Sequence, residues 1–361
     1  MRRDREGGAE RVLVAMSGGV DSSLAAALLL EQGYAPVGVT LHLWDASGAS
    51  QVGRCCAPED REDAARSCAH LGIPHFVFDE REAFRALVVD PFVQEHREGL
   101  TPSPCARCNR RVKLERLLEI ADHLGCEKIA TGHYCRIAHD TSGPRLLRGK
   151  DRVKDQSYFL FGLDRALLAR LLFPLGELEK TASREEARRL GLPNADKPDS
   201  QELCFIPDGD VVGFLRREGL EARPGRIVDR QGRAIAEHAG LEAFTIGQRR
   251  GLGLGGGPAR YVLDMLPESR ELVIGPAEAL LASTLWVPEA RWIRTPPEAS
   301  FEARVRLRHR HEPAPARVHL EGEGLRAELH EPQRAVTPGQ AAVVYLDEEV
   351  LGGGFVRRHQ A

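Results

Sequence analysis

The residues with the clearest chemical potential begin with a glycine loop near the N-terminus. Residues 17–23 read Ser-Gly-Gly-Val-Asp-Ser-Ser and stand between an apolar run and a helix-like segment. The N–H groups and dipole at the start of a helix attract anions, and glycines let a phosphate approach the backbone. A Walker A loop would carry a lysine before its last Ser or Thr. The loop therefore indicates phosphate binding without γ-phosphoryl transfer; a plain strand-to-helix turn is the alternative.

Three cysteines lie in segments suited to thiol chemistry. Cys105 and Cys108 form a Cys-x-x-Cys pair ahead of a predicted helix, and Cys204 lies in a second segment almost one hundred residues on. A helix N-terminus and nearby arginines lower the pKa of a thiol and favour the reactive thiolate. A structural zinc half-site is the alternative, with Cys55 and Cys56 as further ligands. The other cysteines are interpreted as ordinary thiols, several of them buried: Cys55, Cys56, Cys68, Cys126 and Cys135.

Alternating strands and helices must position these residues. Predicted strands cover residues 11–16, 36–44, 75–79 and 128–132, and predicted helices cover residues 24–32, 62–71, 82–97 and 112–124. This alternation predicts an α/β domain with a doubly wound parallel sheet, whose ligands bind at the carboxyl ends of the strands.

The pattern changes in the second half of the chain. Short alternating runs between glycines and prolines predict a small, mostly β middle domain, and evenly spaced strands after it predict a C-terminal β-barrel-like or sandwich domain. The expected domains are residues 1–205, 206–279 and 280–361, with part of 173–191 able to pack on the middle domain.

Composition restricts the class of protein. The chain has 361 residues, of which 42% are apolar and 29% are charged. This length exceeds the size at which one hydrophobic core stops growing, and it predicts several folded domains. Its longest apolar runs are too short to cross a bilayer, and its charged start lacks a signal-peptide pattern, so a cytoplasmic location is expected. The net charge of -3 means that any nucleic-acid-binding surface must be local.

Ordered strings from about residue 11 to 358 resemble the bacterial tRNA-specific 2-thiouridylase (MnmA) family, within the PP-loop ATP pyrophosphatase superfamily of adenine nucleotide alpha hydrolase-like domains. They are MSGGVDSS, VTLHLWD, TPSP with CNRRVK, ATGHY, KDQSYFL, LFPLGELEK, DSQELCFI, TIGQRRGLG, VTPGQAAVVY and LGGGF. The resemblance implies that ATP adenylates the C2 oxygen of the wobble uridine (U34) of tRNA. Sulfur transfer then gives 2-thiouridine, AMP and pyrophosphate. Mg²⁺ and a sulfur donor (a cysteine desulfurase, a sulfur-relay protein or hydrosulfide) are implied as well.

The same resemblance assigns roles to the cysteines. Cys108 would be the nucleophile, Cys204 would carry a persulfide, and a Cys108–Cys204 disulfide would accompany product release. Many members have an aspartate where this chain has Cys105. Three thiols at these positions could instead hold a [4Fe-4S] cluster with one open iron. The persulfide and cluster routes use the same residues, and both remain open at this point.

The resemblance also implies which residues contact the two substrates. The nucleotide-binding residues would be Ala15, Met16, Ser17, Gly18, Gly19, Val20, Asp21, Ser22, Leu41 and Gly132, with Asp21 helping to place Mg²⁺. The tRNA-binding residues would be Ser103, Pro104, Cys105, His133, Lys154, Asp155, Gln156, Arg308, His309 and Gln340.

A basic strip is predicted in the last domain. Arg304, Arg306, Arg308 and Arg310 alternate with apolar residues, so a strand would present them on one face. Such a row could contact successive phosphates of tRNA. Charge on an edge strand that prevents aggregation is the alternative.

Two rival functions remain open. Another PP-loop ligase that transfers nitrogen would need no cysteine pair. A non-catalytic RNA-binding protein with a structural metal or redox switch would consume no ATP in the presence of tRNA, and the intact loop at residues 17–23 argues against it.

Overall fold

The computed structural model describes residues 8–45, 58–199 and 203–358. These form two units. The first comprises the described residues up to Val88, Cys105–Gly209 and Glu348–Val350, and the second comprises Val89–Pro104, Asp210–Asp347 and the described residues from Leu351 onward.

The strands, in chain order, are β1 (Arg11–Ala15), β2 (Ala35–His42), β3 (His75–Asp79), β4 (Lys128–Ala130), β5 (Cys135–Asp140), β6 (Gly143–Arg148), β7 (Leu171–Leu172), β8 (Gly225–Val228), β9 (Ala234–His238), β10 (Tyr261–Leu266), β11 (Glu271–Gly275), β12 (Leu281–Val287), β13 (Arg291–Trp292), β14 (Ser300–Arg306), β15 (Ala314–Glu321), β16 (Gly324–Arg334), β17 (Ala341–Leu346) and β18 (Glu349–Phe355). The α-helices are α1 (Val20–Glu31), α2 (Pro58–Leu71), α3 (Arg81–Phe84), α4 (Asp90–Arg97), α5 (Pro104–Cys108), α6 (Glu115–His123), α7 (Arg165–Arg170), α8 (Lys180–Arg189) and α9 (Val211–Arg217). Two π-helical segments cover Arg85–Val89 and Asn109–Leu114, and 3-10 turns cover Ser157–Leu160, Leu241–Ala243 and Ala277–Leu280.

The first unit is built on a parallel sheet with the strand order β3-β2-β1-β4-β7. β1 pairs with β2 on one side and with β4 on the other, so Leu13 lies opposite both Val37 and Ile129. Val12, Leu13 and Val14 of β1 are fully buried, as expected for a central parallel strand. All the strands are parallel, but successive strands are added on one side of β1 up to β3 and on the other side from β4 onward. This reversal of strand order confirms the doubly wound topology and creates a crevice at the carboxyl ends of β1 and β4.

Helix α1 packs on this sheet through an uninterrupted run of alanine and leucine, residues 24–30. Leu29 contacts the buried cluster around Val14, while Leu24 shares a second cluster with Ala187 of α8. Gly33 ends the helix with φ 84°, a left-handed conformation that glycine adopts without strain. The predicted C-terminal end of this helix is therefore confirmed, whereas the helix begins at Val20, four residues before the predicted start.

The two longer predicted helices are each interrupted by a π-helical segment. Residues 82–97 form α3, the segment Arg85–Val89 and then α4, where Pro91 in the first turn cannot donate a backbone hydrogen bond. The cysteine pair lies in α5, which continues through the segment Asn109–Leu114 into α6. Single π turns within helices are frequent at functional sites.

Several elements were not predicted from the sequence. They include α7, α9 and the antiparallel hairpin β5–β6, in which Arg136 lies opposite Leu147. The glycine run of β18 forms a strand, although consecutive glycines are more typical of loops. Without side chains, it lets neighbouring backbone approach closely. A Cβ at Gly352 would stand 2.1 Å from the carbonyl oxygen of Arg291.

The second unit contains a small sheet with the order β10-β11-β8-β9. β11 and β8 are parallel, while the two outer pairings are antiparallel. Ile227, Val262 and Leu272 are buried between this sheet and its connecting segments. A small, mostly β middle region is thus confirmed, with α9 as an addition.

The C-terminal strands close into a barrel. They follow the order β12-β16-β15-β14-β17-β18, and the chain after β18 returns to β12 through a bridge between Arg357 and Trp286. The backbone N–H of Arg357 donates to the carbonyl oxygen of Trp286 at 3.0 Å. Val305, Val318 and Val344 are fully buried inside. Closure leaves no unpaired edge at this point and confirms the predicted barrel.

The predicted arginine row is wrong. β14 ends at Arg306, whose side chain is only 4% exposed and donates to the carbonyl oxygen of His309. Arg304 is exposed on the strand, whereas Arg308 and Arg310 are exposed in the turn that follows. Arg304 and Arg306 both lie on the strand, but the side chain of Arg306 is buried. Arg308 and Arg310 follow the strand, where the two-residue period of a strand no longer determines which way a side chain faces.

The described parts of the chain contain no helix with the length and apolar character needed to span a membrane.

Candidate active site

The glycine loop lies at the crevice between the carboxyl ends of β1 and β4, where the strand order reverses. It leaves the carboxyl end of β1 and enters α1, and Gly19 occupies the N-cap position, where it has no side chain to cap the helix. The first N–H groups of α1 are therefore available to an anion. Gly132, just after β4, approaches the same loop: a Cβ there would stand 2.8 Å from the carbonyl carbon of Asp21. Leu41 lies near the carboxyl end of the adjacent β2.

Asp21 forms an ion pair with a lysine that the sequence did not identify. Lys180 Nζ lies 2.7 and 2.8 Å from the two carboxylate oxygens of Asp21, and 2.9 Å from Oδ1 of Asp199. The hydroxyl of Tyr134 donates to Asp21 at 2.9 Å. Lys180 is 8% exposed, so its positive charge is held inside the protein beside the loop.

Asp199 extends this network toward the segment of Cys204. Lys154 Nζ donates to it at 2.7 Å, and Arg184 donates at 2.8 Å. Burial alone would raise the pKa of Asp199, but hydrogen bonds from Lys154 and Lys180 outweigh burial and lower its pKa to about 2. The carboxylate is therefore ionised at physiological pH. We name the set Asp21, Lys180, Asp199, Lys154 and Arg184 the lysine–aspartate network.

A second lysine stabilises the other side of the loop. Lys197 Nζ donates to Asp60 and Asp63 of α2 and to the carbonyl oxygen of Gly18 at 3.3 Å. Burial opposes its charge, but the hydrogen bonds to the two aspartates raise the pKa of Lys197. Asn194 also donates to Gly18, at 3.1 Å. Both residues hold a turn in which Gly18 has φ 75°.

The three candidate cysteines differ in exposure. Cys105 is exposed, Cys108 is 5% exposed at the end of α5, and Cys204 is half-buried. The residue after Cys204, Phe205, is buried against Trp44 and Phe84, with ring centroids 6.5 and 5.7 Å away. This aromatic packing anchors the chain on the C-terminal side of Cys204.

Cys105, Cys108 and Cys204 are the candidate ligands for a [4Fe-4S] cluster. Within residues 8–45, 58–199 and 203–358, no three His, Cys, Asp or Glu residues are grouped so that they could hold a metal ion. Cys105, Cys108 and Cys204 all belong to these ranges, so a [4Fe-4S] site built from them is not shown by the structure. The burial predicted for three other thiols is confirmed, and burial raises the pKa of Cys68 to about 12. Those thiols are Cys68, Cys126 and Cys135. Cys55 and Cys56 lie outside the described residues.

One predicted tRNA contact is corrected by the structure. Asp155 is fully buried, and its Oδ1 accepts hydrogen bonds from the backbone N–H groups of Gly149 and Ser157, each at 3.1 Å. Its carboxylate therefore shapes the loop and cannot reach RNA. Tyr158, an aromatic residue three positions further along the chain, is likewise buried. Gln156 is half-buried, and its Oε1 accepts from the N–H of Tyr134 at 3.0 Å.

His133 is held as a neutral ring. Its Nδ1 lies 2.7 Å from the hydroxyl of Thr131, and its ring packs edge-on against Phe173. Burial, with a smaller contribution from the charge of Lys113, lowers the pKa of His133 to about 3. A contact with tRNA at this residue would thus be a hydrogen bond or a stacking contact, without a positive charge.

This neutral histidine makes stability depend on pH. An unfolded histidine has a pKa of about 6.5, so below that pH the unfolded chain binds a proton that the folded protein excludes until pH 3. We expect His133→Gln to remove a stability loss of up to about 1.4 kcal/mol per pH unit below pH 6. Unfolding temperatures at pH 7 and pH 5 test this, since the wild type should fall further than the variant. Equal decreases would contradict it.

The remaining predicted tRNA contacts belong to the second unit, apart from Cys105. Ser103 is half-buried and Pro104 is buried. Arg308 is exposed and donates to the carbonyl oxygen of Arg334 at 3.2 Å, and His309 is half-buried. Gln340 is half-buried and donates to two backbone carbonyl groups.

Comparison with known proteins identifies the chain's relatives. The family described as "tRNA methyl transferase HUP domain" matches residues 10–208, the "tRNA methyl transferase PRC-barrel domain" matches 213–276, and the "Aminomethyltransferase beta-barrel domain" matches 282–356. A protein of Chloroflexus aurantiacus named tRNA-specific 2-thiouridylase MnmA is 50% identical over 352 residues, covering 96% of this chain and 98% of its own. Relatives with the same name from Acidithiobacillus ferrooxidans and Sorangium cellulosum are 47% and 48% identical, covering 96% and 98% of this chain and 98% and 94% of their own.

These relatives share nearly the whole chain, including the sheet, the small middle sheet and the barrel. The chain therefore belongs to the tRNA-specific 2-thiouridylase (MnmA) family.

Proposed function

We propose that this protein catalyses the ATP-dependent 2-thiolation of the wobble uridine of tRNA. One observation carries the proposal: the lysine–aspartate network joins Asp21 of the phosphate loop to Asp199, five residues before Cys204. A network of charges that starts at the phosphate-activating loop and ends five residues before a candidate thiol in the sequence suits a reaction that first activates an oxygen and then replaces it with sulfur. Family membership supports the same reaction.

The loop would perform the activation. The C2 oxygen of uridine attacks the α-phosphorus of ATP, and pyrophosphate leaves. Lys180 and the N–H groups of α1 stand where they can stabilise the negative charge that develops on the phosphates. Mg²⁺ would neutralise the phosphates further, and Asp21 supplies a half-exposed carboxylate suited to hold it.

The cysteines would perform the sulfur transfer. The terminal sulfur of a Cys204 persulfide attacks C2, and AMP leaves with the former C2 oxygen. The Cys108 thiolate then attacks Sγ of Cys204, and the electron pair of the broken S–S bond stays on the uridine sulfur. The products are 2-thiouridine and a Cys108–Cys204 disulfide, which an external dithiol reduces before the next turnover. A sulfur donor must regenerate the persulfide.

The arrangement of thiols favours this route over a cluster. The donor residues are not grouped as a metal site in the described ranges, so no step is derived through a [4Fe-4S] cluster. Cys105 would then be an exposed thiol near the start of α5, at a position where many relatives are expected to carry an aspartate.

Three further assignments belong to the proposal. Domain limits at residues 1–205, 206–279 and 280–361 would place the chemistry in the first domain and divide the tRNA contacts between the first domain and the last. The tRNA contacts would be made by Ser103, Pro104, Cys105, His133, Lys154, Gln156, Arg308, His309 and Gln340. A cytoplasmic location follows from a tRNA substrate and a reducible disulfide.

The test is thiolation of an unmodified tRNA transcript with ATP, Mg²⁺ and a persulfide-generating cysteine desulfurase. We expect 2-thiouridine and pyrophosphate to form together, and Asp21→Asn to lower both by about 10² to 10³, the cost of losing one preorganised electrostatic group. Asp122→Asn, an exposed carboxylate away from the loop, is the matched control and should retain full activity.

Thiolation without ATP would overturn the proposal, as would normal turnover by Asp21→Asn. Nitrogen transfer to a nucleotide without any need for cysteines would instead favour another PP-loop ligase. Binding of tRNA with no pyrophosphate release would favour the non-catalytic RNA-binding protein.

A further inference from the structure

The segment just before the cysteine pair is held by the C-terminal barrel. Residues Val89–Pro104 belong to the second unit, although the α5 cysteines that follow belong to the first. The turn between β16 and β17, residues 337–340, contacts this segment at Thr101 and Pro102. We name it the barrel turn.

The barrel turn makes three hydrogen bonds to the segment. The backbone N–H of Thr101 donates to the carbonyl oxygen of Pro338 at 2.9 Å. The side-chain amide of Gln340 donates to the carbonyl oxygens of Thr101 and Pro102 at 3.0 and 3.4 Å. Because both partners of this amide are carbonyl oxygens, only a donor can occupy its position.

Gly339 brings the two backbones into direct contact. Its φ is 95°, and a Cβ at this position would stand 2.7, 2.8 and 2.9 Å from the carbonyl oxygen, carbonyl carbon and nitrogen of Thr101. Any larger residue would push Thr101 away. The turn is itself fixed, since the N–H of Gly339 donates to Val356 and the N–H of Val356 donates to Gln340.

The other end of the segment is also attached to this unit. Arg357 donates to the buried Glu95 at 3.2 Å, and Arg358 donates to the carbonyl oxygens of Gly99 and Met265 at 3.5 and 2.7 Å. The segment is therefore held on both sides of Leu100, which is buried.

Little freedom remains between the barrel turn and the cysteines. Only Ser103 separates Pro102 from Pro104, the first residue of α5, and each proline fixes its own φ and restricts the residue before it. A displacement of Thr101 and Pro102 is thus passed to the start of α5, four residues before Cys108.

From these contacts we propose that Gln340 and Gly339 are positioning residues for the catalytic thiol: the barrel turn fixes the start of α5 and so keeps Cys108 in its buried, attack-ready position. This role is separate from the contact with tRNA proposed above for Gln340 and does not depend on it. The amide is already engaged by the protein backbone, and its effect reaches the reaction through the chain.

The test is the alkylation rate of Cys108 in tRNA-free protein, measured by mass spectrometry after timed exposure to iodoacetamide. We expect Gln340→Met, which keeps the volume but removes the donor, to speed alkylation about five- to thirtyfold, the factor for one or two hydrogen bonds of ordinary net strength. Gly339→Ala should have a similar effect. Cys105 is already exposed, so its rate should stay the same and serves as an internal reference.

Matched controls separate this effect from general destabilisation. Gly322→Ala also places a side chain at a positive φ, 58°, but its Cβ would meet no atom within 4 Å. Gln231→Ala removes an exposed glutamine of the same unit. Both should leave the alkylation of Cys108 unchanged.

Kinetics with tRNA give a second readout, which rests on the proposed thiolation. Gln340→Met should lower kcat with little change in the KM for tRNA, whereas Arg308→Ala should raise that KM without changing alkylation. The proposal is overturned if both barrel-turn variants alkylate Cys108 at the wild-type rate, and a raised KM alone would then assign Gln340 to tRNA binding. Because alkylation needs no turnover, it decides the proposal even if the chain does not thiolate tRNA.

Discussion

Lys180→Met is expected to lower kcat/KM for tRNA thiolation by about 10² to 10³ while tRNA affinity stays near that of the wild type. The ammonium group is the shared partner of Asp21 and Asp199 and stands beside the phosphate loop. Its removal takes a fixed positive charge from the place where phosphate charge develops. It also leaves two carboxylates with one fewer counter-ion, and Asp21 keeps the Tyr134 hydroxyl as a neutral partner.

The measurement is pyrophosphate release and 2-thiouridine formation at saturating and limiting ATP, with the unfolding temperature as a check on folding. Loss of one partner of a buried ion pair costs about 3 to 5 kcal/mol, and less where, as at Asp21, the other partner is partly exposed. Lys128→Met is the matched control, because this lysine caps a carbonyl group at the opposite end of β4. A folded Lys180→Met protein with activity within threefold of the wild type would exclude the role given to the network.

Lys180 shows what sequence reasoning could not supply. The strand, loop and helix at residues 11–31 are local, and their pattern predicts both the fold and the anion site. The partner of Asp21, in contrast, lies 159 residues away in the chain. One signal was available: Lys180 is the first residue of α8, where the helix dipole disfavours a cation, so a strong acidic partner must compensate.

The sequence also did not reveal which polar side chains are buried. Asp155 and Arg306 are both polar residues in motifs assigned to tRNA, and each is buried and makes at least one hydrogen bond to a backbone group. Spacing predicts which face of an element a residue occupies only as far as the element continues, and β14 ends at Arg306. The strand formed by the glycine run of β18 was not predicted for a related reason, since close packing of backbone against backbone has no signature in local polarity.

The cysteines provide the other large expected effect, and together they separate the two sulfur routes. Cys108→Ser and Cys204→Ser should each lower 2-thiouridine formation by at least about 10⁴, because no other group can carry or release the sulfur. Adenylation precedes sulfur transfer, so both variants should still release pyrophosphate in the presence of tRNA, and in Cys204→Ser the AMP should stay on the C2 oxygen of the uridine.

Cys105→Ser is the matched variant, since it removes the exposed thiol of the same helix. The persulfide route predicts that it retains activity within about fivefold, because Cys105 forms and breaks no bond in that route. A cluster would need its thiolate as a ligand, so loss of activity comparable to Cys204→Ser, together with iron in anaerobically purified wild-type protein, would replace the persulfide route. The proposed persulfide route predicts the opposite result: Cys105→Ser remains active, and iron-free protein turns over at the full rate.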